Sequence, residues 1–103
     1  MELPKDEIVL ELYEEFVETW IDDINRQFDE FVATKNATDF YRFAHTLKGS
    51  GYQFEITPLG DKGVELMELI KSESWDKVVP YKNELLDILN EALKMYREYA
   101  AKQ

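Results

Sequence analysis

Hydrophobic residues recur every three or four positions along almost the whole chain, the spacing of one face of an α-helix. No segment alternates apolar and polar residues with a period of two, the pattern of a half-buried strand. In the first third of the chain the face predicted to turn inward consists of Ile8, Leu12, Phe16, Trp20, Ile24, Phe28 and Phe31. The pattern therefore predicts an all-α protein.

Caps and turns divide this pattern into four long helices. They are predicted from about Asp6 to Ala33, from Ala37 to about Phe54, from Thr57 to about Lys71, and from about Trp75 to near the C-terminus. Asn36 is the predicted N-cap of the second helix, and Thr57 that of the third, with Pro58 at its first helical position. The first helix fits one continuous helix or two segments with a bend near Thr19 to Ile21. Short connections favour antiparallel neighbours, so we predict an up-and-down antiparallel four-helix bundle with a possible extra N-terminal helix segment.

Three residues are unfavourable inside the predicted helices. Gly60 and Gly63 each cost the third helix up to about 1 kcal/mol relative to alanine, which favours a role in close helix approach. Pro80 removes a hydrogen bond from the second turn of the last helix.

Composition narrows the class of protein. The 103 residues fit a single domain spanning residues 1–103. With 22 acidic against 12 basic residues and a net charge of −10, binding to nucleic acid or to an anionic membrane is disfavoured. The chain has no cysteine, and no stretch approaches the roughly 20 apolar residues of a membrane span. The start also lacks the basic and apolar regions of a signal peptide, so a cytoplasmic protein is expected.

The single histidine of the chain lies on the outer face of the second predicted helix. With a rotation of about 100° per residue, His45 is opposite the arc predicted to form the core. That arc contains Phe40, Phe43, Leu47, Gly51 and Phe54. The residues within about 60° of His45 are Tyr41, Arg42, Lys48, Gly49 and Tyr52. His45 is therefore predicted to face solvent beside two cations and a glycine.

An exposed imidazole in this setting suits a covalent nucleophile that will carry negative charge. Imidazole is partly neutral near pH 7, so a ring nitrogen is available without an added base. A phosphoryl group brings nearly two negative charges, which Lys48 could partly neutralise, while Gly49 avoids crowding. A metal site is disfavoured because the chain has one histidine and no cysteine. A serine hydrolase is disfavoured because Ser50 lies about 140° from His45 on the helix.

The segment Ala44-His45-Thr46-Leu47-Lys48-Gly49-Ser50 resembles the signature of the histidine-containing phosphotransfer (HPt) domains of two-component phosphorelays. The signature is a histidine, any residue, an apolar residue, lysine, glycine and a small residue. Helix order and lengths extend the resemblance from about Ile8 to Tyr99. Family members often end the histidine helix with Gly-Ala, where this chain has Glu55-Ile56.

The resemblance implies a phosphocarrier and not an enzyme. His45 would be phosphorylated, Lys48 would stabilise the phosphoryl group, and Gly49 would give the partner steric clearance. The implied partners are response-regulator receiver domains and a histidine kinase. The receiver would bring the aspartate and the Mg²⁺, so no cofactor is expected on this chain, which would act as a monomer. We predict that Tyr41, Arg42 and Tyr52 take part in docking, although the two tyrosines could instead close the groove to the neighbouring helix.

Two alternatives stay open at this point. Chemotaxis kinases carry a similar His-x-x-Lys-Gly helix, so the chain could be the N-terminal phosphotransfer module of a larger histidine kinase. It could also be an acidic helical scaffold for binding, in which His45 is incidental.

Overall fold

The computed structural model describes all residues from 1 to 103 and contains helices without any strand. The helices are α1 Glu7–Thr34, α2 Ala37–Gln53, α3 Thr57–Lys71, α4 Trp75–Val78 and α5 Tyr81–Ala101. The four long helices form a bundle, which confirms the predicted fold class. The extra N-terminal segment does not form, because α1 is one continuous helix of 28 residues.

Each long helix runs antiparallel to its two neighbours. Contacts from α1 to α2 pair the end of one helix with the start of the other, as in Phe28 against Phe40 and Phe16 against Phe54. The contacts of α5 with α1 have the same sense, since Lys82 binds Asp29 whereas Tyr96 stacks on Tyr13. The antiparallel pairs α2–α3 and α3–α5 complete the ring of four, with α4 against α3 and α5.

Side-chain caps begin the first two helices. The Asp6 carboxylate accepts hydrogen bonds from the backbone N–H groups of Ile8 and Val9, at 2.8 and 3.3 Å. The Asn36 side chain accepts from the N–H of Asp39 at 3.2 Å, so the predicted cap of the second helix is confirmed. These bonds satisfy N–H groups that have no partner within the helix.

The start of α3 differs from the prediction. The N-cap is Ile56 and not Thr57, which is already the first helical residue. The carbonyl oxygen of Ile56 accepts from the N–H groups of Leu59 and Gly60, at 2.9 and 3.2 Å. The N–H of Ile56 also donates to the carbonyl oxygen of Gly51 in α2, at 2.8 Å. Helix α3 therefore begins at Thr57, one residue before the position that a Thr57 cap predicts.

Helices α1, α2 and α3 all end in the same way, on a charged residue with positive φ. These residues are Lys35, Glu55 and Glu73, with φ of 51°, 59° and 53°. In each case the following N–H reaches back five residues to a carbonyl, at 3.1 Å from Asn36 to Phe31, 2.8 Å from Ile56 to Gly51 and 2.9 Å from Ser74 to Leu69. This is the Schellman motif, which usually places glycine at the left-handed position.

The last predicted helix is divided into two. The short helix α4 ends at Val78, and α5 begins at Tyr81, so the prediction of one helix from Trp75 onward is wrong. Pro80 has no N–H to donate to the carbonyl of Asp76, and its ring crowds the preceding turn. Regular bonding resumes with the N–H of Glu84 and the carbonyl of Pro80, at 3.5 Å. Proline therefore ends the first segment instead of merely weakening one helix.

The core is a cluster of 16 buried hydrophobic residues contributed by α1 to α5 and by Ile56. Most of the predicted inward positions are buried or half-buried, but two in the first helix are not. Ile8 and Leu12 are 69% and 51% exposed, and Tyr13 and Val17 are buried instead. Tyr13 packs against Phe54 at the end of α2 and against Tyr96 of α5, so the face of α1 between these two helices is buried instead.

Candidate functional site

Helix α2 places the predicted site residues on one outward face. Ala44 and Leu47, on either side of His45 in the sequence, are fully buried, and they fix the rotation of the helix. His45 is exposed, as are Gly49 and Arg42, while Lys48 is half-buried. The predicted solvent-facing position of His45 is therefore confirmed.

The charge of α2 sets it apart from the rest of the molecule. Its two basic residues, Arg42 and Lys48, outnumber its one acidic residue, Asp39. In contrast, α1 carries nine acidic residues against Arg26 alone, and acidic residues also outnumber basic ones in α3 and α5. In a protein of net charge −10, α2 is the helix on which an anion meets the least repulsion.

Lys48 has no ion pair in the structure. The eight ion pairs of the chain involve Arg26, Arg42, Lys62, Lys82 and Arg97, each with one or two carboxylates. Lys48 lies three residues after His45, and residues with this spacing are neighbours on a helix surface. Lys48 is therefore a cation within reach of the imidazole face, and no carboxylate lies within ion-pair distance of its ammonium.

Gly49 leaves open space on the outer face. A Cβ atom at this position would meet no heavy atom within 4 Å. The other glycines differ, since a Cβ at Gly51, Gly60 or Gly63 would collide with α3 or α2. Gly49 thus plays no part in packing within the chain, and the space above it is accessible to another molecule.

Tyr52 is held against α3 instead of projecting freely. Its hydroxyl donates to Oδ1 of Asp61 at 2.7 Å, and its ring lies over Gly60, where a Cβ would have no room. The hydrogen bond to Asp61 raises the pKa of Tyr52, and burial and the negative charge of Asp61 add to the shift. Tyr52 therefore covers the groove between α2 and α3, which is the second of the two roles considered for it. Part of its ring stays exposed.

Arg42 lines two open grooves that flank the outer face of α2, and Tyr41 lines one of them. The groove between α2 and α3 includes Tyr41, Arg42, Ile70 and Lys71. The groove between α1 and α2 includes Trp20, Asp23, Gln27, Phe31, Asp39, Arg42, Phe43 and Thr46. Neither groove includes His45, so the imidazole stands on the ridge between them. Arg42 also pairs with Asp39, at 3.7 Å.

Two residues of α3 contact the predicted site residues, although the sequence did not assign them to the site. Asp61 fixes Tyr52, and Gly63 packs directly under Lys48. The cost of Gly60 and Gly63 inside a helix favours close helix approach, but it does not predict which residue of α2 lies opposite. No cluster of three or more histidine, aspartate or glutamate side chains that could hold a metal ion forms in the chain.

None of the helices combines the length and the apolar character that a bilayer crossing requires. Comparison of the chain with protein-family models, with curated proteins and with solved structures returned no match. The resemblance to phosphotransfer domains therefore rests on the residues around His45 and on the helix order.

Proposed function

We propose that this protein is a histidine phosphotransfer domain that carries a phosphoryl group on His45 between two-component signalling proteins. The observation that carries the proposal is the surroundings of His45. The exposed imidazole stands on the one helix with a net positive charge, three residues from the unpaired Lys48 and four from the open space above Gly49.

The chemistry is a phosphoryl transfer between two nucleophiles. A neutral ring nitrogen of His45 attacks the phosphorus of an aspartyl phosphate on a receiver domain. The P–N bond forms as the P–O bond breaks, and the aspartyl carboxylate leaves with the bonding electron pair. The reverse step passes the group to the aspartate of the next receiver. Such transfers depend mostly on positioning and on stabilisation of charge, which is the role assigned to Lys48.

The partner in this proposal is a receiver domain that docks over the ridge of α2. It brings the aspartate and Mg²⁺, and a histidine kinase supplies the pathway, so this chain needs only the nucleophile and its cation. The space above Gly49 lets the aspartate approach the imidazole. Tyr41, Arg42 and the exposed part of Tyr52 border this approach and would form the edge of the contact. The chain would act as a monomeric cytoplasmic phosphocarrier, becoming the covalent intermediate without turnover of its own.

The test is His45→Gln. Because the side chain faces solvent, we expect a circular dichroism spectrum and melting temperature like those of the unmodified protein. Incubation with a phosphorylated receiver should leave an acid-labile, base-stable phosphoryl group on the unmodified chain and none on the variant. The control is Gln53→Ala, an exposed change on the same helix that should keep phosphoryl acceptance. Phosphate on His45→Gln would disprove the assignment, and an unmodified chain that never accepts phosphate would favour the binding scaffold.

A further inference from the structure

Helices α2 and α3 lie in close contact at two positions where a glycine leaves no room for a Cβ atom. A Cβ at Gly51 would lie 2.7 Å from the backbone nitrogen of Gly60. One turn closer to His45, a Cβ at Gly63 would lie 2.9 Å from both Cα and Cβ of Lys48, and 3.0 Å from its backbone nitrogen. The segment of α2 that carries Lys48 therefore rests directly on the backbone of α3.

This contact fixes the base of the side chain that stands beside His45. Lys48 is half-buried and has no ion pair that could hold its ammonium in place. The region that its ammonium can reach starts from its Cα and Cβ, and these two atoms lie against Gly63. We propose that Gly63 is a positioning residue, which sets the place of the Lys48 ammonium relative to a phosphoryl group on His45. The proposal rests on the proposed function of His45 and adds a residue on another helix to that site.

A methyl group at position 63 would act through the backbone of α2. The atoms that it would meet include the backbone nitrogen and Cα of Lys48, and no change of side-chain rotamer can move these away. The two helices would have to separate locally, and the lysine would move with its own backbone. Small displacements of a group that stabilises transferred charge reduce rates steeply, by about 100-fold for 1 Å in well-positioned sites.

The chain offers matched controls for this effect. Gly51→Ala crowds the same pair of helices against backbone atoms, but one turn away from Lys48. Lys48→Ala removes the ammonium and keeps the Cα, Cβ and nitrogen that Gly63 contacts. A chain with both Gly63→Ala and Lys48→Ala therefore keeps the steric contact between α2 and α3. It lacks only the ammonium, which is the group that this contact is expected to displace.

The experiment uses phosphoramidate, a small donor that needs no docking surface. Its P–N bond breaks, ammonia leaves, and the phosphoryl group forms a new P–N bond to His45. The rate is followed by mass spectrometry for the full chain, for Gly63→Ala and for Gly51→Ala, each with Lys48 and with Lys48→Ala. We expect Gly63→Ala to slow phosphorylation about tenfold when Lys48 is present, and less than about twofold when it is absent.

Different results would overturn the role of His45 and the role of Gly63. An unmodified chain that phosphoramidate does not label at His45 overturns the proposed function, and this inference with it. Three results would overturn the role of Gly63 alone, provided that the unmodified chain is labelled normally. In the first two, Gly63→Ala does not slow phosphorylation, or slows it equally with and without Lys48. In the third, Gly51→Ala shows the same Lys48-dependent decrease in rate. If circular dichroism shows that Gly63→Ala does not fold, the same series is made in a chain that also carries Glu55→Gly. This change is expected to stabilise the fold, because Glu55 has a left-handed backbone conformation at the end of α2.

Discussion

Replacing Glu55 by glycine should stabilise this protein. Glu55 ends α2 with φ of 59°, a left-handed conformation in which the Cβ of an L-residue approaches the following carbonyl oxygen. Glycine has no Cβ and adopts this conformation without that cost. The hydrogen bonds of the turn, from Ile56 to Gly51 and from Glu55 to Tyr52, use only backbone atoms and would be kept.

The expected gain is the difference between two opposing effects. The left-handed conformation costs an ordinary residue about 1–2 kcal/mol. Glycine offsets part of this gain, by about 0.4–1 kcal/mol, because an unfolded chain with glycine at this position has more conformations to lose on folding. The net stabilisation is therefore about 0.5–1 kcal/mol, which corresponds to a rise of about 2–8 °C in the melting temperature of a domain of this size.

The assay is thermal and urea unfolding followed by circular dichroism. Glu55→Ala is the matched control, because it removes the same carboxylate and keeps the Cβ in the strained position. We expect Glu55→Gly to melt above both the unmodified chain and Glu55→Ala. A glycine variant that melts no higher than the alanine variant would show that any gain comes from the lost charge and not from backbone conformation.

Three further predictions concern the site and the core. Gly49→Gln should be at least as stable as the unmodified chain, with helix propensity gained by several tenths of a kcal/mol, yet a receiver should phosphorylate it poorly; a normal transfer rate would show that the open space is not needed. Lys48→Ala should slow transfer in both directions by about ten- to a hundred-fold without abolishing it, and unchanged rates would remove Lys48 from the site. Tyr13→Phe should be at least as stable, because the buried Tyr13 hydroxyl has no hydrogen-bond partner. Burial also raises the pKa of Tyr13 from 10.0 to about 12, so the folded chain holds its proton longer than the unfolded one, and stability should fall from pH 10 towards 12. Unfolding measured across this range should show a smaller fall in Tyr13→Phe, and an equal fall would contradict the role of burial.

Much of the fold could be predicted from the sequence, because amphipathic periodicity is a local signal. The four long helices and the Asn36 cap follow from residues close together in the chain. The inward residues of the first helix are predicted less well. Tyr13 and Val17 are buried, and Tyr13 packs against Phe54 and Tyr96, contacts that the periodicity of one helix does not contain. The break at Pro80 is stronger than one missing hydrogen bond predicts, because the proline ring also crowds the preceding turn.

In the site, too, the positions set by one helix could be predicted from the sequence, whereas the contacts between helices could not. The outward position of His45 and the neighbourhood of Lys48 and Gly49 follow from the rotation of one helix. What α3 contributes could not be predicted, since the contact of Gly63 with Lys48 depends on how two helices are aligned. The same holds for Tyr52, whose exposure was predicted but whose hydrogen bond to Asp61 required the partner helix.

The pairing of the first and last long helices has a consequence for how the chain folds. Helices α2 and α3 are joined by three residues, so their contact closes a short loop and costs little chain entropy. The contact of Arg97 with Glu14 spans 83 residues and must wait until the intervening chain is arranged. Because local contacts form before distant ones, we expect the α2–α3 hairpin to assemble early and α5 to dock on α1 late. The ridge that carries His45 would then be built in the fastest-forming part of the molecule, and the joining of the two ends would set the folding rate.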